Sequence, residues 1–304
     1  MRQDFETAEL QEALERALGF RMKPLVRMDG ASALNFRAER ADDGFRFAVK
    51  CSPSARQAMF DHLVRHLAET DGTKAVRRLF ADVCPPTFRG WNLICLSWCE
   101  GERRFPDRLS EAELTAFLED YREFSTALQR SSGIVRADPL AEWRAGALAA
   151  CGGFWARPLK RLIEREIPSE QVVYQTDRLR VVHGDFHHGN FLFANGRVNG
   201  FFDLEEFCWG YPSDDIVRYF VCAAEHLRWY ERGRRTRLLA RFALAVRTLP
   251  YPRGEWLVAI NGLLVRKLFM KTQDGVGPFR AFNLRWRARL YARMRELVLE
   301  ETRP

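Results

Sequence analysis

No stretch of this chain is apolar for the roughly 20 residues needed to cross a bilayer. The first residues, Met1 to Leu18, read as a charged amphipathic helix and not as a secretion signal. Both absences lead to the expectation of a cytoplasmic protein without a membrane span. Seven cysteines, at positions 51, 84, 95, 99, 151, 208 and 222, form no C-x-x-C pair and no Cys/His spacing of the zinc type. Their odd number argues against a disulfide framework, so buried free thiols are expected. Internal repeats and low-complexity linkers are also missing. What is present is 304 residues, 47% hydrophobic and 29% charged, enough to bury a sizeable core as one large domain or two lobes.

Charge is unevenly placed. The last 81 residues, from Ala224 to Pro304, hold 18 basic and seven acidic residues, a net of +11, whereas the first 223 carry a net of −3. Such a basic quarter suits an anionic substrate, a membrane surface or nucleic acid, and a set of solvated arginine-rich helix faces would have the same composition.

Two textures follow one another along the chain. Leu25 to Met28, Leu34 to Glu39, Phe45 to Cys51 and Leu93 to Trp98 read as strands, with Asp29-Gly30 and Asp42-Asp43-Gly44 as turns. Between them, Ser54 to Glu69 has helical spacing, and a short helix is expected over Thr73 to Phe80. Past Glu100-Gly101 the pattern is helical. Ser110 to Gln129 opens with a Ser110/Glu113 capping box, and Pro139 to Ala150 and Phe154 to Ile167 follow. Later helices are expected over Ser213 to Glu231, Arg234 to Val246, Glu255 to Lys271 and Pro278 to Glu300. A hairpin, Phe191 to Phe193 against Val198 to Phe202 around Asn195-Gly196, interrupts them. A strand-rich first part joined to a helical remainder implies two lobes, 1–99 and 100–304, with a cleft between them.

The chemistry concentrates in Val181 to Phe193, VVHGDFHHGNFLF, and in the FFDLEE of Phe201 to Glu206. Asp185 and Asn190 stand five apart across a turn containing Gly189, and Asp203 follows a second apolar stretch, so three oxygen-bearing side chains can converge. Oxygen ligands of this kind suit a hard divalent cation and phosphate. In the first part, Phe47-Ala48-Val49-Lys50 makes Lys50 the odd polar member of an apolar strand. The paired His187 and His188 fall in the tolerant middle of the loop, where ordinary hydrogen bonding is the expectation.

His183-Gly184-Asp185-Phe186-His187-His188-Gly189-Asn190 resembles the catalytic loop, H-G-D-x-x-x-x-N, of the aminoglycoside phosphotransferase and choline kinase group of kinase-like enzymes. The resemblance covers Gly30 to Asp215. It implies an α+β, two-lobed protein-kinase-like fold with a small antiparallel-sheet N-lobe and a mostly helical C-lobe. It further implies Asp185 as the base facing the acceptor hydroxyl, Asn190 and Asp203 as magnesium ligands, and Glu205, two past Asp203, as a further metal residue. His183 and Asp215 would support the loop, Asp215 by accepting its backbone hydrogen bonds. The sequence also offers Ser213 as a plain N-cap of the helix that follows. Lys50 resembles the phosphate-binding lysine, paired with either Asp61 or Glu69. Gly30 and Ser32 resemble the phosphate-covering turn, and Ser97 and Cys99 the hinge that meets the adenine edge.

By this resemblance the cofactors are ATP or GTP with Mg2+, and the partner is a small molecule bearing a hydroxyl. The net +11 disfavours a polycationic aminoglycoside. A sugar or amino alcohol, free or on an anionic glycan or lipid head group, is favoured, and no nucleic acid is expected. The C-terminal aromatics Trp229, Tyr230, Trp256, Trp286 and Tyr291 could stack on such an acceptor or fill the core. Two other readings stay open: a nucleotide-binding pseudokinase without turnover, and a basic binder of nucleic acid or anionic surfaces. A protein kinase fits less well, since H-G-D replaces H-R-D and no A-P-E ending follows.

Overall fold

The computed structural model describes residues 6–28, 34–52, 74–84, 87–129, 138–151, 156–167, 172–228, 230–272 and 278–303. The chain divides into two compact units. The first joins Met1–Gly101 to Val198–Glu205, and the second joins Glu102–Arg197 to Glu206–Pro304.

The first unit begins with helix α1 (Thr7–Leu18), which ends where Gly19 turns left-handed at φ 75° and returns its amide to the Glu15 carbonyl. Strands β1 (Val26–Met28), β2 (Leu34–Glu39), β3 (Arg46–Ser52), β4 (Arg78–Leu79), β5 (Thr87–Phe88) and β6 (Trp91–Ser97) follow. They form one antiparallel sheet in the order β1-β2-β3-β6-β4, with β5 also on β6. Alternation decides the two faces of β3. Phe47, Val49 and Cys51 join Leu10 and Leu14 of α1, Phe36, Leu93 and Cys95 in the core. Lys50 therefore emerges on the opposite face, across from Asn35 on one side and Ile94 on the other.

The helix expected over Ser54 to Glu69 lies outside the described residues. Over Thr73 to Phe80 the structure corrects the expectation: the described part is extended. Ala75 bridges to Phe201, Phe201 donates its N–H to the Lys74 carbonyl at 2.8 Å, and Arg78 and Leu79 pair with Leu96 and Cys95. Partners distant in sequence supply these backbone bonds, and local helical spacing loses to them.

In the second unit, α2 (Glu111–Leu128) starts with the reciprocal Ser110/Glu113 capping box, at 3.2 and 2.9 Å. Its buried Leu114, Phe117, Tyr121 and Phe124 form the floor on which later segments pack. Helices α3 (Leu140–Ala150) and α4 (Arg157–Glu166) come next, then the strands β7 (Arg180–Val182), β8 (Phe191–Ala194), β9 (Arg197–Phe201, most of which belongs to the first unit) and β10 (Cys208–Gly210). Asn195 and Gly196, between β8 and β9, both have positive φ, 52° and 75°, as a two-residue I′ turn requires. Helices α5 (Pro212–Glu225), α6 (Arg232–Thr248), α7 (Arg253–Thr272) and α8 (Pro278–Glu301) complete the unit. The α5 helix stops six residues short of the expected Glu231. There the Arg228 amide turns to the Glu231 carboxylate at 2.6 Å, and the Glu231 amide returns to the Arg228 carbonyl.

Much of the C-terminal charge is neutralised within this unit. Arg234 pairs with Asp107, Arg241 with Glu111, Arg247 with Glu301, Arg287 and Lys267 with Glu225, and Arg293 with Glu296 and Glu300. All seven cysteines are free thiols. Among the described residues no helix is long and apolar enough to cross a membrane.

The start of α5 differs from the sequence reading. Tyr211 is the N-cap, Pro212 occupies the first helical position, and the Tyr211 amide donates to Asp214 at 2.7 Å. Ser213 is inside the first turn, fully buried, and its hydroxyl has no hydrogen-bond partner among the described residues. Replacing the two serines by alanine should thus give different results in urea unfolding. Ser110→Ala should cost about 1 kcal/mol. Ser213→Ala should be neutral or slightly stabilising, because it removes a buried hydroxyl that lacks such a partner.

Candidate active site

The segment His183–Asn190 begins where β7 ends. Short antiparallel pairing of β7 with β10, Val182 opposite Cys208, anchors its start. Gly184 is left-handed at φ 77°, and a β-carbon there would stand 2.0 Å from the Glu206 carbonyl oxygen, so only glycine fits. Asp215, in the first turn of α5 and 1% exposed, reaches under this loop. Its carboxylate accepts the His183 amide at 2.9 Å, the Gly184 amide at 3.1 Å and the Tyr121 hydroxyl at 3.2 Å. Burial raises the pKa of this carboxyl, opposed by His183, the two amides and Arg218. Tyr121 also donates to the Pro212 carbonyl at 2.7 Å and thus ties α2 to the start of α5.

Asp185 projects from the loop with its side chain 38% exposed. Arg218 Nη1 is 3.5 Å from its Oδ1, and His187 Nε2 is 3.4 Å from its Oδ2. Asn190 Nδ2 donates to the Asp185 carbonyl at 2.9 Å and approaches its carboxylate at 3.4 Å. Burial alone would raise the Asp185 pKa, yet the hydrogen bond and charge of His187, with Arg218 and His183, pull it down to about 2. The carboxylate is therefore ionised throughout the physiological range.

The two loop histidines divide their tasks. His187 Nδ1 accepts the Gly189 amide at 2.9 Å, which places the proton of the neutral ring on Nε2, toward Asp185. His188 packs on Phe105 at 4.0 Å and edge-on to His226 at 5.0 Å. Burial and the neighbouring His226 push its pKa down to about 4, so the ring is neutral at pH 7. Beneath the loop, Phe186 packs against Tyr121, Phe191 and His183 at 4.9, 5.0 and 5.5 Å. Among the described residues no cluster of His, Cys, Asp and Glu gathers to hold a metal by itself.

In the first unit, Lys50 is buried on β3 and its Nζ stands 2.5 Å from Asp203 Oδ1. Asp203 follows β9 with φ 63°, an uncommon conformation for a residue other than glycine, and its side chain is 41% exposed. Glu205 lies in the 3-10 turn Leu204–Glu206, and its side chain is outside the described residues. The same holds for Gly30, Ser32, Asp61 and Glu69 altogether. Ser97 faces the sheet: its amide donates to the Arg77 carbonyl at 2.8 Å, and its hydroxyl accepts the Arg77 amide at 2.9 Å. Cys99 is half-buried against Gly200, whose added β-carbon would meet its Sγ at 2.2 Å, and burial pushes its thiol up to about 11.

A model of the phosphotransferase enzyme family matches residues 26–256, most of the chain. The chain belongs to this family. A search of curated protein sequences gives no match. Solved structures are similar along nearly the whole length. One is a spectinomycin phosphotransferase in complex with ADP and spectinomycin, 13% identical, TM-score 0.64, covering 98% of each chain. Another is an aminoglycoside phosphotransferase from Alicyclobacillus acidocaldarius, 14% identical, TM-score 0.64, covering 90% of each. A third is an amicoumacin kinase in complex with AMP-PNP, Ca2+ and Ami, 12% identical, TM-score 0.60, covering 96% of each. At these identities the likeness establishes the kinase-like fold, with a small antiparallel sheet followed by a helical region.

In this phosphotransferase the structure brings Asp185, Asn190, His183 and Asp215 together in the second unit, and Lys50 with Asp203 in the first. Sequence reading missed Arg218, whose guanidinium stands 3.5 Å from Asp185. Its spacing of three residues from Asp215, one helical turn on the same face of α5, is the signal that could have found it. Nothing local in the sequence marks the Tyr121 hydroxyl as a partner of Asp215.

Replacing Arg218 with Gln should raise the Asp185 pKa from about 2 toward the ordinary aspartate range, because a cation favouring the ionised form is removed. A carboxyl NMR titration reads this directly. Arg218→Lys should remain closer to the parent.

Proposed function

We propose that this chain transfers the γ-phosphoryl group of ATP, with Mg2+, to a hydroxyl of a small molecule. The observation that carries the reading is the loop clamp: Asp215 holds the His183 and Gly184 amides, and Asn190 holds the Asp185 backbone and carboxylate, so Asp185 is presented ionised and fixed. Membership of the phosphotransferase family supports it.

In this reading Asp185 orients the acceptor hydroxyl. With a pKa near 2 it is too weak a base to take the proton early. Phosphoryl transfer through a loose transition state asks for no more, since the proton becomes acidic only as the new O–P bond forms. The acceptor oxygen bonds to phosphorus, the bond to the β-phosphate oxygen breaks, the proton passes to Asp185, and ADP leaves. Holding the hydroxyl in line contributes most of the effect.

Asp203 and Asn190 fit a divalent cation by donor chemistry. Asn190 uses its Nδ2 on Asp185, which leaves its Oδ1 for a cation, and the Asp203 carboxylate is accessible. Mg2+ takes few protein oxygens and completes its shell with water and phosphate, so two such ligands suffice. The ion would supply neutralisation of developing phosphate charge. Lys50 carries the fixed positive charge for the nucleotide phosphates. Glu205 is assigned as an auxiliary metal residue, Asp61 or Glu69 as the Lys50 partner, and Gly30, Ser32 and the Cys99 hinge as further nucleotide contacts. The region 1–99 is read as the nucleotide lobe and 100–304 as the lobe for the acceptor.

Nucleotide consumption measured across a panel of hydroxyl acceptors tests this. Asp185→Asn should lower turnover by roughly 10²–10⁴-fold, the usual worth of such a residue, while nucleotide binding persists. Asp203→Ala should lose Mg2+-dependent turnover as well. Unchanged rates in either variant would remove the mechanism.

A further inference from the structure

The second unit contains a cleft of about 260 Å3, open to solvent, whose walls include Glu225, Arg228, Tyr230, Trp286 and Arg287. That is close to the lower end of the range for small-molecule sites. Two links tie it to the catalytic loop. On α5, Asp215, Arg218, Cys222 and Glu225 follow one another by three or four residues and share a face. That face begins under Gly184, passes Asp185 at Arg218, and reaches the cleft at Glu225, about 10 Å farther along the helix axis. Cys222, between them, feels the charges of Arg218, Glu225 and Asp185. The second link is His226, next to Glu225 in sequence, whose ring stands 5.0 Å from His188 of the loop.

The cleft is positive and aromatic at once. Glu225 is already shared between Lys267 at 3.1 Å and Arg287 at 3.3 Å. The Arg228 guanidinium donates to the Tyr230 hydroxyl at 2.9 Å, a neutral partner, and makes no ion pair among the described residues. Nearby Glu231 feels the Arg228 charge but makes no direct bond to its guanidinium among the described residues; its carboxylate bonds the Arg234 guanidinium and the Arg228 backbone amide. The lining of the cleft therefore sets two arginines, Arg228 and Arg287, against one carboxylate, Glu225. Tyr230 is 53% exposed, with the Arg228 guanidinium 6.0 Å from its ring centre, and Trp286 is half-buried at the cleft wall, whereas Trp256 and Tyr291 are buried in the core.

We propose that this cleft is the acceptor site and that it selects an anionic sugar. A carboxylate or phosphate on the sugar meets Arg228, the ring lies on Trp286, and a free hydroxyl extends along α5 toward Asp185. The inference rests on the phosphotransfer reading above and adds the class of acceptor. Quaternary ammonium and polyamino acceptors are disfavoured there, because they would meet Arg228 and Arg287.

Calorimetry on the whole protein with AMP-PNP and Mg2+ tests it, with four probes: a disaccharide ending in a uronic acid, a hexose phosphate, the matching neutral disaccharide and a polyamino sugar. At least one anionic probe should bind tenfold or more tightly than the neutral and polyamino ones, and the better of the two identifies carboxylate or phosphate as the anion. Arg228→Ala should erase that preference, Arg228→Lys should keep part of it, and Trp286→Ala should weaken neutral and anionic sugars alike. None should alter AMP-PNP binding. Equal or tighter binding of the polyamino sugar, a preference that survives Arg228→Ala, or no anionic binding to protein that still takes AMP-PNP would overturn the proposal. Wild-type protein that binds the anionic sugar but no nucleotide would keep the cleft and remove the phosphotransfer reading.

Discussion

The carboxylate of Asp215 is the contact on which the second unit's organisation depends. A buried acid is costly unless its oxygens are satisfied, and here two loop amides and the Tyr121 hydroxyl satisfy them. The same bonds remove the donors that a glycine-bearing turn would otherwise bury unpaired. Helix α2, helix α5 and the loop thus share one polar junction inside an aromatic layer of Phe117, Phe186, Phe191 and Tyr219. Neither the loop conformation nor the start of α5 is independent of the other.

From that junction the charges sort themselves along α5. Asp215 is buried and used for structure, Arg218 one turn later is a partly buried cation, and Asp185 between loop and solvent is kept ionised by it and by His187. Farther along the same face the balance turns positive at Glu225, where two cations converge on one carboxylate. In the first unit the corresponding economy is between Lys50, placed on the face of β3 away from the core, and Asp203, held in a left-handed backbone conformation.

The kinase-like fold and the loop residues were legible because their signals are local. The Ser110/Glu113 box, the Asn195-Gly196 turn and the alternation of β3 each depend on neighbours a few residues away. One error arises where distant partners decide, and two arise at the ends of α5, where several nearby residues could cap the helix. Lys74 to Phe80 has helical spacing but is drawn into extended pairing by Phe201, Leu96 and Cys95. The end of α5 is set by a Glu231 side chain, and its cap by Tyr211 and Asp214 in place of Ser213. Composition alone could not separate binding charge from solvated charge in the basic C-terminal quarter, because many of its arginines are matched to carboxylates on other helices. Arg228 became distinct only when its neighbours were seen.

Asp215 holds the backbone of the His183–Asn190 loop through the His183 and Gly184 amides. Amide hydrogen exchange of Asp215→Ala against the parent, followed over the segment 180–194, measures that hold. Protection should be lost at His183 and Gly184 with the central turns of α2 and α6 still protected. A folded Asp215→Ala protein whose loop amides keep their protection would show that the carboxylate does not hold the loop.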